Sequence, residues 1–497
     1  MRSPDHLQLQ GQTETTTRQK TRGALSKERM AREAARNARN KICVEEIERS
    51  RLYVPVPIKF ALAQVVSLAW VGLSVYLSYP WFEDLSSVIG SIPALIIIAF
   101  IAYVPGYLVS FTTVSLLLDR QPPMRVCDPD EPVTVLIAAR NEAKTIADTL
   151  EYIHKQQYRG SIEVILVDNG STDGTAEKAR EAAEKLGLKL TVVHEERPGK
   201  SFALNTGLQY VRTELFATID ADTLLHRLAI KHIVARILSA PSDVCAVAGH
   251  VLVRNSRDGL MARLQEWDYF IGIASIKRMQ GLYQGTLVAQ GAFSLYRTER
   301  VKAVGGWPNM IGEDIVLTWK LFEHGCRVYF EPLAVAFTEV PTNLRAFQRQ
   351  RSRWARGMIE GLKLAPPWQH NTWYATYLTA LDVFIPFVDF FYTFVWIPGL
   401  ILAFFGKYYI VGLYTLFVVP LNMLVLYIMS RYQRRVFDAL NLHIRKNRIG
   451  FFLYFLFYQM IHSPISVIGY FQELTRRERA RAPLTPSAPS ESPPAIF

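Results

Sequence analysis

Residues 215–222 read LFATIDAD, an apolar run that stops at two carboxylates one residue apart. The run predicts a buried β-strand that ends at Asp220 and Asp222. In an open α/β sheet, ligands bind beyond the carboxyl ends of the strands. Hard cations take carboxylate oxygens and are completed by substrate phosphates, so this pair could hold a divalent cation and a diphosphate. The alternative is a strand that ends in a turn, where aspartate is common anyway.

The sequence around this stretch, from Pro132 to about Pro367, predicts an α/β domain. Four apolar runs (VTVLIAA, EVILVD, LTVVH and LFATID) alternate with helix-like stretches at 144–157, 173–187 and 199–211. This order implies a mostly parallel sheet with crossover helices. A domain of this length can bury its own core.

Composition places this domain in a membrane protein. Half of the 497 residues are hydrophobic and the net charge is +12, yet the charge is concentrated in particular segments. A basic chain suits nucleic acid, anionic lipid or anionic substrates as partners. No nucleic-acid-binding motif is present, and we expect lipid and topology to account for the charge. The cysteines lie far apart in sequence, so we expect reduced cytosolic thiols: Cys43, Cys127, Cys245 and Cys326.

Apolar blocks flank the predicted domain. Two precede it, at roughly 57–79 and 90–118, and each exceeds the ~20 residues needed to cross a bilayer. Three follow it, at roughly 375–404, 408–430 and 451–472. Lysine and arginine mark cytosolic loops, which places the N-terminus and the domain inside. A fifth full crossing would put the basic C-terminal tail outside, so the side of that tail stays open.

These features divide the chain into five predicted segments. No secretory signal peptide is expected at the start. The N-terminal arginines recur at helical spacing, which indicates a basic helix near anionic headgroups or, equally, a solvated tail. The segments are a basic cytosolic extension (1–56), two transmembrane helices (57–118), the α/β domain ending in an interfacial amphipathic helix (130–367), about three transmembrane helices (371–474) and a basic, then Pro/Ser-rich disordered tail (475–497).

Polar residues follow the first two predicted strands. The first strand leads into Asn141 and Glu142, and the second ends at Asp168, followed by NGSTDGT. Glycine, asparagine and serine permit a tight turn there, and Asp173 can cap the next helix. Asp168 could accept hydrogen bonds from a nucleotide base or ribose. We favour a ligand role for Asp168 and a capping role for Asp173.

Lys200 lies in the sequence RPGKS, which opens the third helix-like stretch. Helix N-termini attract anions, and a lysine there can add a point charge to a diphosphate. A lone Pro-Gly-Lys would otherwise be unremarkable.

Glu313 and Asp314 begin another helix-like stretch, IVLTWKLFEHG. The two acids could simply cap that helix. Alternatively, Asp314 could be a general base that takes the proton of an acceptor hydroxyl. The residues alone favour neither interpretation over the other.

The sequence QRSRW at 350–354 completes the candidate site. In a helix, Gln350, Arg353 and Trp354 share one face. An arginine fork suits phosphate oxygens, and an aromatic plane suits the apolar face of a sugar. The alternative is a basic interfacial helix that lies on lipid, and both can hold.

Together these pieces resemble the membrane-integrated, processive family 2 glycosyltransferases. That family has a nucleotide aspartate, an Asp-x-Asp, a Glu-Asp pair and a Gln-x-x-Arg-Trp in this order, and the resemblance covers about 57–470. The segment EWDYFIGIASIKRMQGLYQG (266–285) looks most like bacterial poly-β-1,6-N-acetylglucosamine synthases, with chitooligosaccharide and hyaluronan synthases next. Two departures stand out. Gly312 replaces a common threonine, and QGAF at 290–293 replaces a Ser-Gly pair, which leaves the donor sugar open.

The resemblance implies a GT-A (Rossmann-like) α/β domain inserted between transmembrane helices, with the catalytic domain on the cytosolic side of a bacterial inner membrane. It implies an inverting transfer from a UDP-sugar, UDP-GlcNAc being favoured, to a growing polysaccharide that is exported. A small membrane partner subunit is left open. The implied roles are nucleotide binding by Asn141, Glu142, Asp168, Lys200 and Asp220, Mg²⁺ or Mn²⁺ binding by Asp220 and Asp222, catalysis by Asp314 and Glu313, and contact with acceptor or diphosphate by Gln350, Arg353 and Trp354.

Three ionisable residues, Asp382, Asp389 and His462, fall inside the apolar blocks. Such groups usually face protein or a watery path. We expect them to lie near a polymer channel, the alternative being pairing inside the helix bundle.

Two other functions stay open. A single transfer to a membrane lipid, as in ceramide glucosyltransferases, would give one sugar on lipid instead of a long chain. A non-catalytic membrane protein would bind a nucleotide-sugar without turning it over.

Overall fold

The computed structural model describes residues 54–119, 122–412 and 418–476. The predictions made for the arginines of the N-terminal extension and for the Pro/Ser-rich tail lie outside these residues. Part of the predicted apolar block 408–430 lies outside them as well.

A mixed sheet forms the centre of the α/β domain, with strand order β3-β2-β1-β4-β7-β6-β8-β5. The first four strands pair in parallel, as the alternating pattern predicts. Strand β7 is antiparallel to both β4 and β6. The strands are β1 Val133–Ala139, β2 Ile162–Asp168, β3 Leu190–His194, β4 Leu215–Asp220, β5 Leu224–Leu225, β6 Val244–Val253, β7 Phe293–Arg297 and β8 Arg327–Thr338.

Helices cover both faces of this sheet and extend beyond it. The predicted stretches at 144–157, 173–187 and 199–211 fold as α3, α4 and α5. The helices are α1 Val56–Ile89, α2 Ser91–Leu117, α3 Ile146–His154, α4 Thr175–Leu186, α5 Lys200–Tyr210, α6 Ala229–Ser239, α7 Leu260–Trp267, α8 Ala274–Leu282, α9 Thr298–Ala303, α10 Glu313–Glu323, α11 Leu344–Leu364, α12 Trp373–Phe404, α13 Val418–Ala439 and α14 Arg448–Leu474.

The apolar residues of β1 explain why the domain has a core on each side of the sheet. Val135 and Ile137 pack with Leu150 of α3, whereas Leu136 points to the other face and packs with Leu204 of α5. Successive side chains of a strand point to opposite faces. A continuous apolar run such as VTVLIAA is therefore what a parallel strand covered on both faces requires.

Four helices among the described residues are long and apolar enough to cross a membrane, namely α1, α2, α12 and α14. Helix α13, which contains part of the predicted block 408–430, is not one of them. Its second half carries Arg431, Arg434 and Arg435. Buried α13 residues such as Met429 pack against the end of α2 and against the sheet. Of the roughly three crossings predicted after the domain, the described residues thus supply two candidates.

The expectation of reduced thiols is wrong for the cysteines in the described residues, because Cys127, Cys245 and Cys326 are all disulfide-bonded. Cys245 of β6 and Cys326, which directly precedes β8, form a disulfide with a Cα–Cα distance of 5.6 Å. The two cysteines are 81 residues apart in sequence. They meet because β6 and β8 are parallel neighbours, a pairing that cysteine spacing does not reveal.

Candidate active site

Lys200 and Asp220 meet at the carboxyl edge of the sheet. Asp220 is the last residue of β4, and Lys200 is the first residue of α5. The turn before α5 has Gly199 at a φ of 145°, a backbone conformation that favours glycine. The Lys200 ammonium donates a hydrogen bond to Asp220 Oδ1, and about a third of each side chain is exposed (36% and 33%). The site therefore has a cation and an anion in contact at its solvent-accessible mouth.

The charges around Lys200 keep it protonated. Burial lowers the pKa of the Lys200 ammonium, but the carboxylates of Asp220, Glu313 and Asp314 outweigh burial and raise that pKa above its usual value. The same electrostatic coupling shows that the Asp-x-Asp and Glu-Asp motifs lie close together. Lys200 is thus a permanent positive charge between the two acidic motifs.

Asp222 lies beyond the end of β4, and its carboxyl contacts the last residue of β8. The Thr338 hydroxyl donates to Asp222 Oδ1 over 3.3 Å. Burial raises the pKa of Asp222 to about 6, and the charges of Asp220 and Glu142 add to the rise. Burial and the neighbouring acids thus destabilise the charged form of this carboxylate, and a bound cation would stabilise it.

The described acidic residues near Asp222 do not form a complete metal cage. Within residues 54–119, 122–412 and 418–476, no group of three or more histidine, cysteine or acidic side chains could hold a metal ion. Two carboxylates completed by diphosphate oxygens are, however, a usual way to hold Mg²⁺. Asp220 and Asp222 fit that donor set.

Glu313 and Asp314 form the first turn of α10. Burial raises the pKa of Glu313 to about 7, and the neighbouring charge of Asp314 adds to the rise, which Lys200 partly offsets. Asp314 Oδ2 accepts a hydrogen bond from the Gly291 amide over 3.4 Å, and its Oδ1 accepts one from the Ile315 amide over 2.9 Å. Asp314 thus has a helix-terminal bond, as the capping interpretation expects, and also faces the loop that carries Gly291.

The loop that carries Gly291 forms a hydrogen bond at each residue from 288 to 291. Gln290 donates its side-chain amide to Gly249 O over 2.7 Å, and Tyr296 donates its hydroxyl to Ala289 O over 2.7 Å. The Ala289 amide donates to Thr318 Oγ1 over 2.9 Å. A Cβ atom on Gly291 would lie 2.6 Å from Lys200 Nζ. The QGAF segment therefore adjoins the Lys200–Asp220 contact, with no side chain at Gly291 to obstruct it.

The nucleotide candidates Asn141, Glu142 and Asp168 lie in the loops after β1 and β2. Asn141 has a φ of 59°, and its side-chain oxygen accepts the Thr172 amide over 2.9 Å. Asp168 is buried, and its Oδ1 accepts the Ser171 amide over 3.1 Å. The Asn141 bond ties the β1 loop to the β2 loop, whereas the Asp168 bond lies within the β2 loop. Glu142 lies near Asp222, as its effect on the pKa of that residue shows.

Asp173 has the helix-capping contact expected of it. Its Oδ1 accepts the Thr175 amide over 3.2 Å at the start of α4. Its Oδ2 also accepts the Ala143 amide over 3.0 Å, a further bond between the two loops. The hydrogen bond from the Thr175 hydroxyl, followed by that from the Ala143 amide, lowers the pKa of Asp173.

Gln350, Arg353 and Trp354 lie on α11, which is helical as predicted. The positive charge of Arg353 lowers the pKa of Glu313, so Arg353 lies within electrostatic range of the acidic pair. Trp354 is 37% exposed. In the part of the chain that the structure describes, Gln350 Oε1 is buried without a hydrogen-bond partner. The three residues predicted to contact the acceptor sugar thus offer an exposed aromatic ring (Trp354), a positive charge near Glu313 (Arg353) and a side-chain oxygen that receives no hydrogen bond among the described residues (Gln350).

Sequence reasoning missed two buried cations near these residues. Arg351 donates to Asp268 Oδ2 over 2.7 Å, and its guanidinium lies 4.1 Å from the Trp354 ring. Lys277 donates to Val288 O over 2.7 Å, and burial lowers the pKa of Lys277 to about 8, against the opposing effect of Asp314. Arg351 is part of QRSRW, but its burial depends on α14 and on Asp268, which follows α7, packing against α11, and no local pattern shows this.

Among the ionisable residues in the apolar blocks, Asp389 is paired within the helix bundle. It accepts hydrogen bonds from Ser463 Oγ at 2.5 Å, Tyr470 OH at 2.9 Å and Gln459 Nε2 at 3.3 Å. All three donors belong to α14. The contacts of Asp389 therefore match the bundle-pairing alternative.

Comparison with known proteins shows which family the domain resembles. Residues 129–357 match the family model described as Glycosyltransferase like family 2. The chain is 32% identical over 287 residues to the poly-beta-1,6-N-acetyl-D-glucosamine synthase of Staphylococcus aureus (strain COL), covering 58% of this chain and 65% of the relative. The synthase of the same name from Staphylococcus epidermidis is 32% identical over 233 residues, covering 47% and 56%.

A solved structure agrees with the fold. A mannosyltransferase from Pyrobaculum calidifontis, in complex with GDP-Man and Mn²⁺, has a TM-score of 0.53 and 23% identity, covering 77% of this chain and 99% of that chain. The domain thus has a GT-A-like α/β fold, as the sequence predicts. Residues 129–357 thus match the family 2 glycosyltransferases, and the chain is similar to the staphylococcal poly-beta-1,6-N-acetyl-D-glucosamine synthases, spanning 65% of the length of the S. aureus relative.

Proposed function

We propose that this chain transfers a sugar, most favourably GlcNAc from UDP-GlcNAc, to a growing β-linked polysaccharide that crosses a bacterial inner membrane. The observation that carries the proposal is the convergence of Lys200 and Asp220 with the Glu313–Asp314 pair at one edge of the sheet. The 32% identity to the S. aureus synthase supports the polysaccharide product. The four candidate spans support a membrane location, and we place the domain on the cytosolic side.

The donor would lie across the carboxyl edge of the sheet. Asn141, Glu142 and Asp168 would hold the uridine, and Lys200 would contact the diphosphate. Asp220 and Asp222 would hold Mg²⁺ or Mn²⁺, which would stabilise the negative charge that grows on the leaving UDP. The raised pKa of Asp222 supports this assignment, because a carboxylate beside other carboxylates gains most from a cation.

The transfer is a single displacement at the anomeric carbon. The acceptor hydroxyl oxygen forms a bond to that carbon while the bond from the carbon to the diphosphate oxygen breaks. The electron pair of the broken bond leaves with UDP, and Asp314 takes the hydroxyl proton. Lys200 and Arg353 offset the charge on the diphosphate. One displacement inverts the anomeric configuration and gives a β-linkage from an α-linked donor.

The acceptor would bind beside α11. The exposed Trp354 ring offers an apolar plane to a sugar. A sugar hydroxyl could supply the hydrogen bond that the buried Gln350 Oε1 lacks among the described residues. We place export between the candidate spans. A small partner subunit in the membrane is compatible with this arrangement.

Turnover in membranes that contain the full chain tests the proposal. UDP-GlcNAc, UDP-Glc and UDP-GlcA are offered separately with Mg²⁺ or Mn²⁺, UDP release is followed, and the product is sized. Membranes with Asp314→Asn are the matched control, and EDTA removes the cation. Long polymer from UDP-GlcNAc that requires Asp314 and the cation is the expected result.

Other outcomes would overturn particular parts of the proposal. One sugar on lipid would exclude processive synthesis and favour the glycolipid function. Polymer from UDP-Glc alone would exclude GlcNAc as the donor sugar. Binding of UDP-sugar without UDP release from any donor would contradict enzymatic transfer by this chain.

A further inference from the structure

Glu360 of α11 contacts the backbone directly before the candidate catalytic pair. Its Oε2 accepts hydrogen bonds from the Ile311 amide over 2.7 Å and from the Gly312 amide over 3.2 Å. The carboxylate is buried, with 5% of the residue exposed. Amides at a helix N-terminus have no acceptor within the helix, and an anion there also meets the positive end of the helix dipole. Glu360 therefore stabilises the turn from which Glu313 and Asp314 project.

The other carboxylate oxygen of Glu360 is bonded to the end of α14. Arg476 Nη1 lies 3.3 Å from Glu360 Oε1 and 3.5 Å from Glu473 Oε2. Glu473 in turn accepts Arg356 Nε over 3.3 Å. Within this network, Glu360 bonds both to the turn before the acidic pair and to Arg476, two residues after the end of α14.

Glycines bring α11 close enough for this contact. A Cβ atom on Gly361 would lie 2.9 Å from the Trp319 ring and 3.0 Å from the Ile315 side chain, both of α10. One turn earlier, Gly357 lies against Gly312, where a Cβ on Gly357 would be 2.8 Å from Gly312 Cα. Since no side chain separates the two segments, the position of α11 sets the position of the turn at 311–312.

We propose that Glu360 is a positioning residue for glycosyl transfer. By holding the amides of Ile311 and Gly312, it fixes the location of Asp314 relative to Lys200 and Asp220. Through Arg476 it couples that location to the end of α14. This inference rests on the proposed function for its effect on catalysis, whereas the contact itself can be tested without any substrate.

The substrate-free test is amide hydrogen exchange of the full chain in detergent. In Glu360→Ala, exchange in the peptide that covers Ile311 and Gly312 should be about tenfold faster, the effect of losing roughly one net hydrogen bond. Glu360→Gln keeps an oxygen that can accept both amides and should restore most of the protection. Glu473→Gln is the matched control, because Glu473 shares Arg476 but does not contact these amides.

The kinetic test uses the same three variants in membranes. A displacement of about 1 Å can cost about 100-fold in rate, so Glu360→Ala should lower kcat by about 100-fold while the KM for the donor changes less than about twofold. Glu360→Gln should recover most of kcat, and Glu473→Gln should keep it within about twofold of the parent.

Specific results would overturn the inference. Unchanged exchange at 311–312 in Glu360→Ala would refute the contact. A parental kcat in that variant, or a loss expressed in KM alone, would refute the positioning role. If Glu360→Ala does not fold, the test rests on folded Glu360→Gln. Fast exchange of the Ile311 and Gly312 amides in that variant, or an impaired kcat, would contradict a positioning role that depends on the side-chain oxygen. Absence of turnover in the parent chain with every donor would count against the proposed function, while the exchange result would still decide the contact.

Discussion

Gly312 and Gly357 meet backbone to backbone at the start of α10. A Cβ atom on Gly312 would lie 2.7 Å from Gly357 Cα and 2.8 Å from Gly357 O. Real Cβ atoms do not approach backbone atoms this closely, so α11 occupies the space that a side chain at Gly312 would need. The glycine that departs from the threonine of many relatives is therefore matched by a glycine on the facing helix.

Restoring the threonine should be harmful in this chain. Gly312→Thr would force α11 away from α10, and overpacking of this kind costs ~1–3 kcal/mol of stability. We expect a lower melting temperature in detergent and impaired sugar transfer in membranes. The control is Asn309→Thr, three residues earlier and exposed. Parental stability and turnover in Gly312→Thr would show that the two helices can separate freely.

Replacing Asp314 with asparagine separates proton transfer from binding. The asparagine side chain keeps one oxygen, which can still accept the Ile315 amide, loses the longer bond from the Gly291 amide, and cannot act as a base. Transfer should fall by about 10²–10⁴-fold, the contribution of a general base, whereas affinity for UDP should remain. UDP release and equilibrium UDP binding are the two measurements. Persistent transfer would remove Asp314 from the role of base.

The pKa of Asp222 predicts how cation binding depends on pH. Because burial and its acidic neighbours raise that pKa to about 6, the carboxyl is neutral below this value and charged above it. Protons then compete with the cation, so affinity for Mn²⁺ in the presence of UDP should fall by about tenfold per pH unit below 6 and level off above it.

Binding must be measured directly to test this pH dependence, since Glu313 also titrates, with a pKa of about 7. Titration calorimetry or electron paramagnetic resonance of Mn²⁺ on the full chain gives the affinity for the cation. Asp222→Asn should weaken binding and remove the dependence centred near 6. The same pH dependence in that variant would assign the titration to another group.

Gly291→Ala should affect Lys200 without affecting the fold. The added Cβ would lie 2.6 Å from Lys200 Nζ, and the end of a flexible side chain can move where backbone cannot. Stability should change by less than about 0.5 kcal/mol. The kcat should fall by about tenfold or more, because the ammonium is displaced from Asp220 and the diphosphate.

A double-mutant cycle with Lys200→Met decides whether Gly291→Ala acts through Lys200. Effects of residues that share one interaction are not additive. Gly291→Ala should therefore cost little further activity in the Lys200→Met background. Fully additive losses would show that the alanine acts on another part of the site.

The sequence was informative wherever a signal is local. The apolar run before Asp220 predicted β4, and alternation of runs with helical stretches predicted the parallel half of the sheet. The order of the acidic motifs predicted the enzyme family. Helical spacing predicted α11, although it gave no sign that Arg351 would be buried against Asp268.

What could not be predicted depends on contacts between distant segments. In the sequence, Glu360 cannot be told apart from any other polar helix residue, because its contact with the turn at 311–312 exists only once α11 packs there. The Cys245–Cys326 bond requires the pairing of β6 with β8. The insertion of antiparallel β7 between β4 and β6 follows from no periodicity, since a strand carries the same pattern in either direction.

The direction of β7 also bears on how enzymes of this kind can diversify. Because β7 runs against β4, the segment that enters it arrives beside Asp220, where β4 ends. Insertions or substitutions in that segment would reshape the proposed donor site beside Asp220. The carboxylates proposed to bind the cation belong to β4 and the turn after it, and Lys200 belongs to α5. Under the proposed function, selection in this segment at positions other than Gly291, where a Cβ would meet Lys200 Nζ, can therefore alter which sugar is accepted without changing the residues that contact the leaving group.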